Sequence, residues 1–512
     1  MTDAIAQSYD VIVVGYGYAG AVAALAAADA GAEVLLLEKA SSPGGISICS
    51  AGGLRIASDA KLAFAYLQST CGGKTPDSVL RAFAEGMTSL ADRLHNLARI
   101  NGAAVEERSS PGNYPLPGAE TFGFAYVEAI PGFDPGDSYP HVRGAPQGAM
   151  LFKVLEDNVA AKAQQITVSL GSPVGRLTRS KGTVDGVVLA DGQAVHARCG
   201  VVLACGGFEG SPELQSQYWP GGPALNAAYK HNTGDGIRMA QAAGAALWHM
   251  WHYHGSYGYR LPDPAYPYGV RVKRLPDWQP GPDGSTAEDL PLMAWILLDQ
   301  DGRRFMNEYE PYVQDTGARP LAAFDPGRQG FPRNPAYLIT DNAGRSLYPL
   351  GKPTRNDPEV QYDWSPDNLD EVVSGLFRPA RDIASLAALI GAERQQVEGG
   401  IARWNAACDA GSDRDFGRPS SSLHALIEPP FYVAEVHPIV SNTQGGPEHD
   451  AQQRVVDPFG QPITGLYAAG ECGSLFGHLY MSGGNLAECF IGGEIAGRNA
   501  ATCGQGENRK WA

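Results

Sequence analysis

Gly15, Gly17 and Gly20 stand in the pattern G-x-G-x-x-G, and the chemistry open to that pattern is the grip of a pyrophosphate. The first position must turn sharply, the second must let phosphate oxygens reach the backbone, and the third must let a helix lie close on a strand. Glycine meets all three needs because it has no Cβ. Tyr18 and Ala19 complete the turn and open a helix whose first N–H groups would face the anion. Glu38 follows Gly20 by 18 residues, where a carboxylate accepts from a ribose 2′-hydroxyl and repels a 2′-phosphate. His249, His252 and His254 invite a metal reading, but no carboxylate completes the set and aromatics crowd the segment, so a packed or substrate-lining loop is expected. Eight cysteines are scattered without a C-x-x-C pair, which predicts reduced, mostly packed thiols and no zinc or cluster framework. Cys472 and Cys489 are expected to be packed like the rest.

Such residues need elements to hold them. Residues 10–14 (DVIVV) read as a buried parallel strand, 19–30 as an alanine-rich helix stopped by Gly31, and 33–37 as a second strand ending at Glu38. The loop 39–53 is built of small residues and holds Lys39, Gly44, Gly45, Ser47, Ala51, Gly52 and Gly53, which suits close approach by a flat ring and its ribityl chain. Near the other end, 463–471 (ITGLYAAGE) forms a turn and a short strand closing on Gly470 and Glu471, and 483–488 (GGNLAE) opens a second helix with Asn485 and Leu486. A helix N-terminus aimed at the pyrimidine end of a flavin stabilises negative charge on the reduced ring. These two stretches point to FAD rather than NAD.

The full length of 512 residues leaves room for more than one structural unit. A formal charge of −16 excludes a nucleic-acid partner, which needs a basic surface. No apolar run reaches membrane-spanning length and no cationic targeting segment is evident, so a cytoplasmic protein is expected. Residues 112–148 read as long loops, 149–163 as a helix, and 165–170, 186–189 and 201–204 as strands. From about 248 the composition turns to aromatics, prolines and polar loops, with strands at 294–298 and 336–340 and helices at 383–389 and 392–408. The expected fold class is α/β: a Rossmann-like FAD-binding domain of discontinuous segments (1–247 and 431–512) with an inserted α+β capping domain (248–430).

With both nucleotide motifs in place, the chain resembles the fumarate reductase and 3-ketosteroid dehydrogenase superfamily of flavoproteins, over residues 10–53, 204–208 (ACGGF), 233–236 (TGDG) and 437–500. The resemblance implies a capping domain closing over the flavin, adenine contacts near Val174, and a further FAD contact at Asp235. Some relatives attach FAD covalently through a histidine of the early loop; residues 46–53 contain none, so non-covalent FAD is expected. Fumarate reductases hold a dicarboxylate with histidine and arginine. Here the corresponding stretches read Asn442-Thr443-Gln444-Gly445-Gly446 and Met481-Ser482-Gly483-Gly484-Asn485, so the charged donors are missing.

Tyr480 and Gly484 instead match the Tyr-x-x-x-Gly pattern of ketosteroid dehydrogenases, in which the hydroxyl and the glycine N–H bind the C3 carbonyl oxygen. Ser482, where Δ1-type enzymes have glycine, resembles the Δ4-(5α) branch, with a tyrosine as proton relay: Tyr312, or Tyr309 as second choice. The expected substrate is a neutral 3-ketosteroid, oxidised to a 4-ene-3-one with electrons passed to an unidentified acceptor. A Δ1-dehydrogenase or another enone reductase is the alternative, and a flavoprotein subunit of an electron-transfer complex is the alternative of another class.

Overall fold

Val11, Ile12 and Val13 are fully buried, as the central strand of a parallel sheet must be when helices cover both faces. The computed structural model describes residues 8–142, 146–273, 293–309 and 313–502; Tyr312 and Cys503 lie outside the described residues. The chain divides into two units. The first takes Met1–Ser211, Tyr229–Tyr253 and Asn442–Ala512, and the second takes Pro212–Ala228 and His254–Ser441. The expected capping range of 248–430 does not include Pro212–Ala228.

In the first unit the strand Ser8–Val14 pairs in parallel with Val34–Leu37 on one side and Ala194–Leu203 on the other. Ile166–Ser169 extends one edge and Pro462–Ala468 the other, both in parallel. Sequence-distant strands thus lie side by side, and their carboxyl ends share one rim, where ligands of open α/β sheets bind. The alanine-rich helix Tyr18–Asp29 is buried along almost its whole length, because the C-terminal helix Gly484–Ala501 packs against it. Small residues make that contact possible: a Cβ on Gly497 would stand 2.2 Å from Ala23 O, and one on Gly493 would stand 2.8 Å from Ala19 O.

A three-stranded antiparallel sheet joins Leu54–Ala57 and Ala104–Ser109 to Phe122–Ala129. This corrects the reading of 112–148 as loops alone. The segment FGFAYVEA has strand-forming aromatics, but its glycine and the flanking prolines mask the signal. The second unit centres on an eight-stranded sheet whose long strand Phe431–Val440 pairs with Ala336–Thr340 and Tyr257–Arg260. Helices Ile383–Ile390 and Arg394–Asp409 pack on it, close to the spans read from periodicity.

Candidate active site

The phosphate turn is built as its glycines require. Gly15 has φ +104° and donates its N–H to Leu37 O at 2.7 Å; a Cβ there would lie 2.4 Å from Ala204 O. A Cβ on Gly20 would lie 1.8 Å from Gly15 O, so only glycine lets the helix seat on the strand end. Gly17 caps that helix with no side-chain hydrogen bond. Tyr18 N–H donates to Ser47 Oγ at 3.0 Å, which ties the small-residue loop to the turn.

One groove runs past this turn. Gly15–Ala19, Glu38 and Lys39, Gly44–Ser47, Val174, Asp235 and Glu471 all line it. Glu38 is held by Tyr16 N–H and Ala40 N–H, each at 2.9 Å, and each oxygen keeps a lone pair for a ribose hydroxyl. Lys39 Nζ sits 2.6 Å from Asp235 Oδ2 and 2.9 Å from Thr233 Oγ1. Two residues expected separately at the cofactor are therefore partners. Ala51, Gly52, Gly53 and Gly470 are not among the groove's lining. Gly52 (φ +68°) packs on Gln147, Gly53 O lies against Gly483, and Gly470 lies against Ala19. Cys489 and Cys205 do line the groove, where packed thiols were expected. Cys199 is disulfide-bonded, against the expectation of reduced thiols throughout.

At the start of the C-terminal helix, Gly483 takes φ +75° and closes the turn on which Tyr480, Ser482 and Gly484 sit. Tyr480 is buried with its ring edge-on to Phe476, and its Oη accepts from Asn485 N–H at 3.4 Å. Gly484 N–H donates to Met481 O at 2.7 Å, so the amide beside the tyrosine hydroxyl is that of Asn485. Ser482 is half-buried, its N–H donating to Asn113 Oδ1 at 2.7 Å and its carbonyl accepting from Arg55 Nε at 2.8 Å. Arg55 is fully buried, stacks 3.9 Å from the Phe124 ring centroid and also donates to Ser110 O. Arg55 and Asn113 are not singled out by the sequence, although an arginine inside the apolar strand LRIA is a visible signal. Leu486 opens the helix and is half-buried. Tyr309 is buried in the apolar core of the second unit.

Behind the turn lies a buried polar network. Asn485 Oδ1 accepts from Asn442 Nδ2 at 2.9 Å and Gln444 Nε2 at 3.1 Å, and its Nδ2 donates to Glu488 Oε2 at 3.1 Å. Asn442, which stands where the resemblance places the histidine of fumarate reductases, is thus spent on holding Asn485. Burial pushes the Glu488 carboxyl up to about 8 and that of Glu471 up to about 7. Glu209 is raised as well, by burial and then by the Glu471 charge. His249 and His252 direct Nδ1 at Ser474 O (2.9 Å) and Phe476 O (2.7 Å), which anchors the segment leading to Tyr480.

A model of the FAD binding domain family matches residues 10–486. The chain belongs to this family. It is an FAD-dependent oxidoreductase, and FAD is its cofactor. The groove fits that cofactor: glycine-only positions, an uncapped helix N-terminus and a ribose carboxylate lie along one wall. The chain is 29% identical to digoxin reductase of Eggerthella lenta over 96% of this chain and 87% of that protein. Its fold is shared with the 3-ketosteroid Δ1-dehydrogenase of Sterolibacterium denitrificans (TM-score 0.78, 23% identity, 97% and 100% covered). It is also shared with the 3-ketosteroid Δ4-(5α)-dehydrogenase of Rhodococcus jostii (TM-score 0.65, 22% identity, 98% of each chain). Among the described residues no helix is long and apolar enough to cross a membrane.

Proposed function

We propose that this flavoprotein is a 3-ketosteroid dehydrogenase of the Δ4-(5α) type, acting on a neutral ketone with non-covalent FAD. The observation that carries this reading is the Tyr480–Ser482 turn with a fully buried Met481 between them. The turn's own side chains offer hydroxyls and no cation, and the Arg55 guanidinium beneath it is committed to Ser482 O, Ser110 O and Asn113, so a carboxylate substrate would lose its hydration without a charged partner. Bound FAD supplies the hydride acceptor for the substrate β-carbon.

The chain's own residues handle the oxygen and the proton. Tyr480 donates its hydroxyl proton in a hydrogen bond to the C3 ketone oxygen, which stabilises the enolate as the C4 proton leaves. Gly484 N–H is the second donor, and it joins by giving up its bond to Met481 O. As Ser482 Oγ receives the C4 proton, its own hydroxyl proton passes to a tyrosine, for which Tyr312 is the candidate, and that tyrosine releases its phenolic proton to solvent. Arg55 and Asn113 fix the Ser482 backbone, so the hydroxyl starts from one place. The likeness to digoxin reductase supports a second reading, in which reduced flavin hydrogenates a neutral enone.

Anaerobic mixing with 5α-androstane-3,17-dione tests the proposal. Flavin bleaching with formation of the 4-ene-3-one is the expected result. A 1-ene product would move the assignment to the Δ1 type. Absence of bleaching, with reoxidation of the reduced protein by enones, would replace the proposal with the reductase reading.

A further inference from the structure

Two thiols meet at the rim of the FAD groove. The strands Ala194–Leu203 and Pro462–Ala468 are parallel neighbours, with Ala468 opposite Leu203 and Ala469 N–H on Leu203 O at 3.0 Å. Cys205 and Cys472 follow just beyond those strand ends. Gly236, in the helix Asp235–Ala242, leaves the space between the two side chains clear. A Cβ on it would stand 2.5 Å from Cys205 Sγ and 2.8 Å from Cys472 Sγ. Cys472 is fully buried, whereas Cys205 is half-buried and forms part of the groove wall.

We propose that Cys205 and Cys472 are an oxidisable dithiol, which hydrogen peroxide entering by the groove converts to an intramolecular disulfide. The order of events follows from exposure. Cys205 Sγ attacks the peroxide, the O–O bond breaks, and Cys205 becomes a sulfenic acid with release of one water. Cys472 Sγ then attacks Cys205 Sγ, the S–O bond breaks, a second water leaves and the S–S bond forms. Two thiols are oxidised by two electrons and one peroxide is reduced to two waters. The neighbouring sulfur and then burial hold the Cys472 thiol well above its ordinary range, so its proton leaves with the Cys205 hydroxyl in the second water.

The disulfide would draw the Cys205 sulfur out of the groove wall and bind two strand ends that flank the cofactor. The nucleotide site thereby becomes sensitive to the peroxide that a reduced flavin yields on meeting oxygen.

The experiment titrates the holoenzyme with hydrogen peroxide and follows each cysteine by alkylation after denaturation and peptide mass mapping. Cys408, half-buried and remote in sequence, serves as the internal reference. The expected result is a peptide pair linking Cys205 to Cys472, lighter by two hydrogens and reversed by dithiothreitol, formed before Cys408 is half modified. Cys205→Ser should leave Cys472 alkylatable at the same dose, and Gly236→Ala should slow the link by wedging the sulfurs apart. The proposal is overturned if Cys408 reacts while Cys205 and Cys472 both remain alkylatable. Oxidation of either one alone, or its pairing with a third cysteine, overturns it equally.

Discussion

Arg55 shows how much a single buried side chain can organise. Its guanidinium spans Ser482 O, Ser110 O and the Asn113 side chain, with Phe124 stacked on its face. Arg55→Met would leave those acceptors buried and unpaired, at a cost of about 3 kcal/mol, read as a drop in melting temperature. Arg55→Lys should recover only part of that loss, because an ammonium lacks the planar fork; full recovery would show that charge alone matters. Tyr480→Phe tests the ketone-binding role at the same scale. Flavin absorbance should be retained while the rate of anaerobic bleaching falls by about 100-fold, the usual effect of removing one such donor. An unchanged rate would exclude Tyr480 from the reaction. Ser482→Ala should slow the same step without changing FAD content.

The helix pair Tyr18–Asp29 and Gly484–Ala501 carries the nucleotide turn and the tyrosine turn on one packed element. Their backbones meet closely at Gly493 and Gly497, so side-chain bulk there separates the helices. Gly497→Ala places a Cβ 2.2 Å from Ala23 O. The expected cost is about 2 kcal/mol from overpacking, together with weaker FAD retention on gel filtration. A variant that keeps both its melting temperature and its FAD would show that the pair has slack. The periodicity of both helices is legible in sequence, and so are their glycines. That the glycines of one helix face the alanines of the other is not, because nearly 500 residues separate the partners.

Across the molecule, Glu471 and Glu488 make stability depend on pH. Both carboxyls rise on folding from an ordinary 4.5, to about 7 and about 8, so the folded state binds protons that the unfolded state has released. Their contribution is fully present below about pH 4.5 and is lost as pH rises through 7 and 8. For each carboxyl, every pH unit that separates its folded from its unfolded titration is worth about 1.4 kcal/mol. These groups therefore predict a melting temperature that falls from pH 5 to pH 9. Glu488→Gln keeps an acceptor for Leu475 N–H and removes the titration, so its profile should be flatter. Parallel profiles for the variant and the natural chain would refute the assignment.

The nucleotide turn is written in the residues alone, because G-x-G-x-x-G with a strand before it and a helix after it is a local backbone requirement. The order of most strands and helices is written there for the same reason: their patterns complete themselves within a few residues. FAD is legible from two such local stretches, one at each end of the chain. Folding in three dimensions was needed to pair Lys39 with Asp235, to close Arg55 and Asn113 on Ser482, and to bring Cys205 to Cys472. Each of these contacts joins segments more than 190, 360 or 260 residues apart, and no local preference encodes which distant partner a buried donor or thiol will find. Parallel strand order set those partners, by bringing the carboxyl ends of strands from both ends of the chain to one rim.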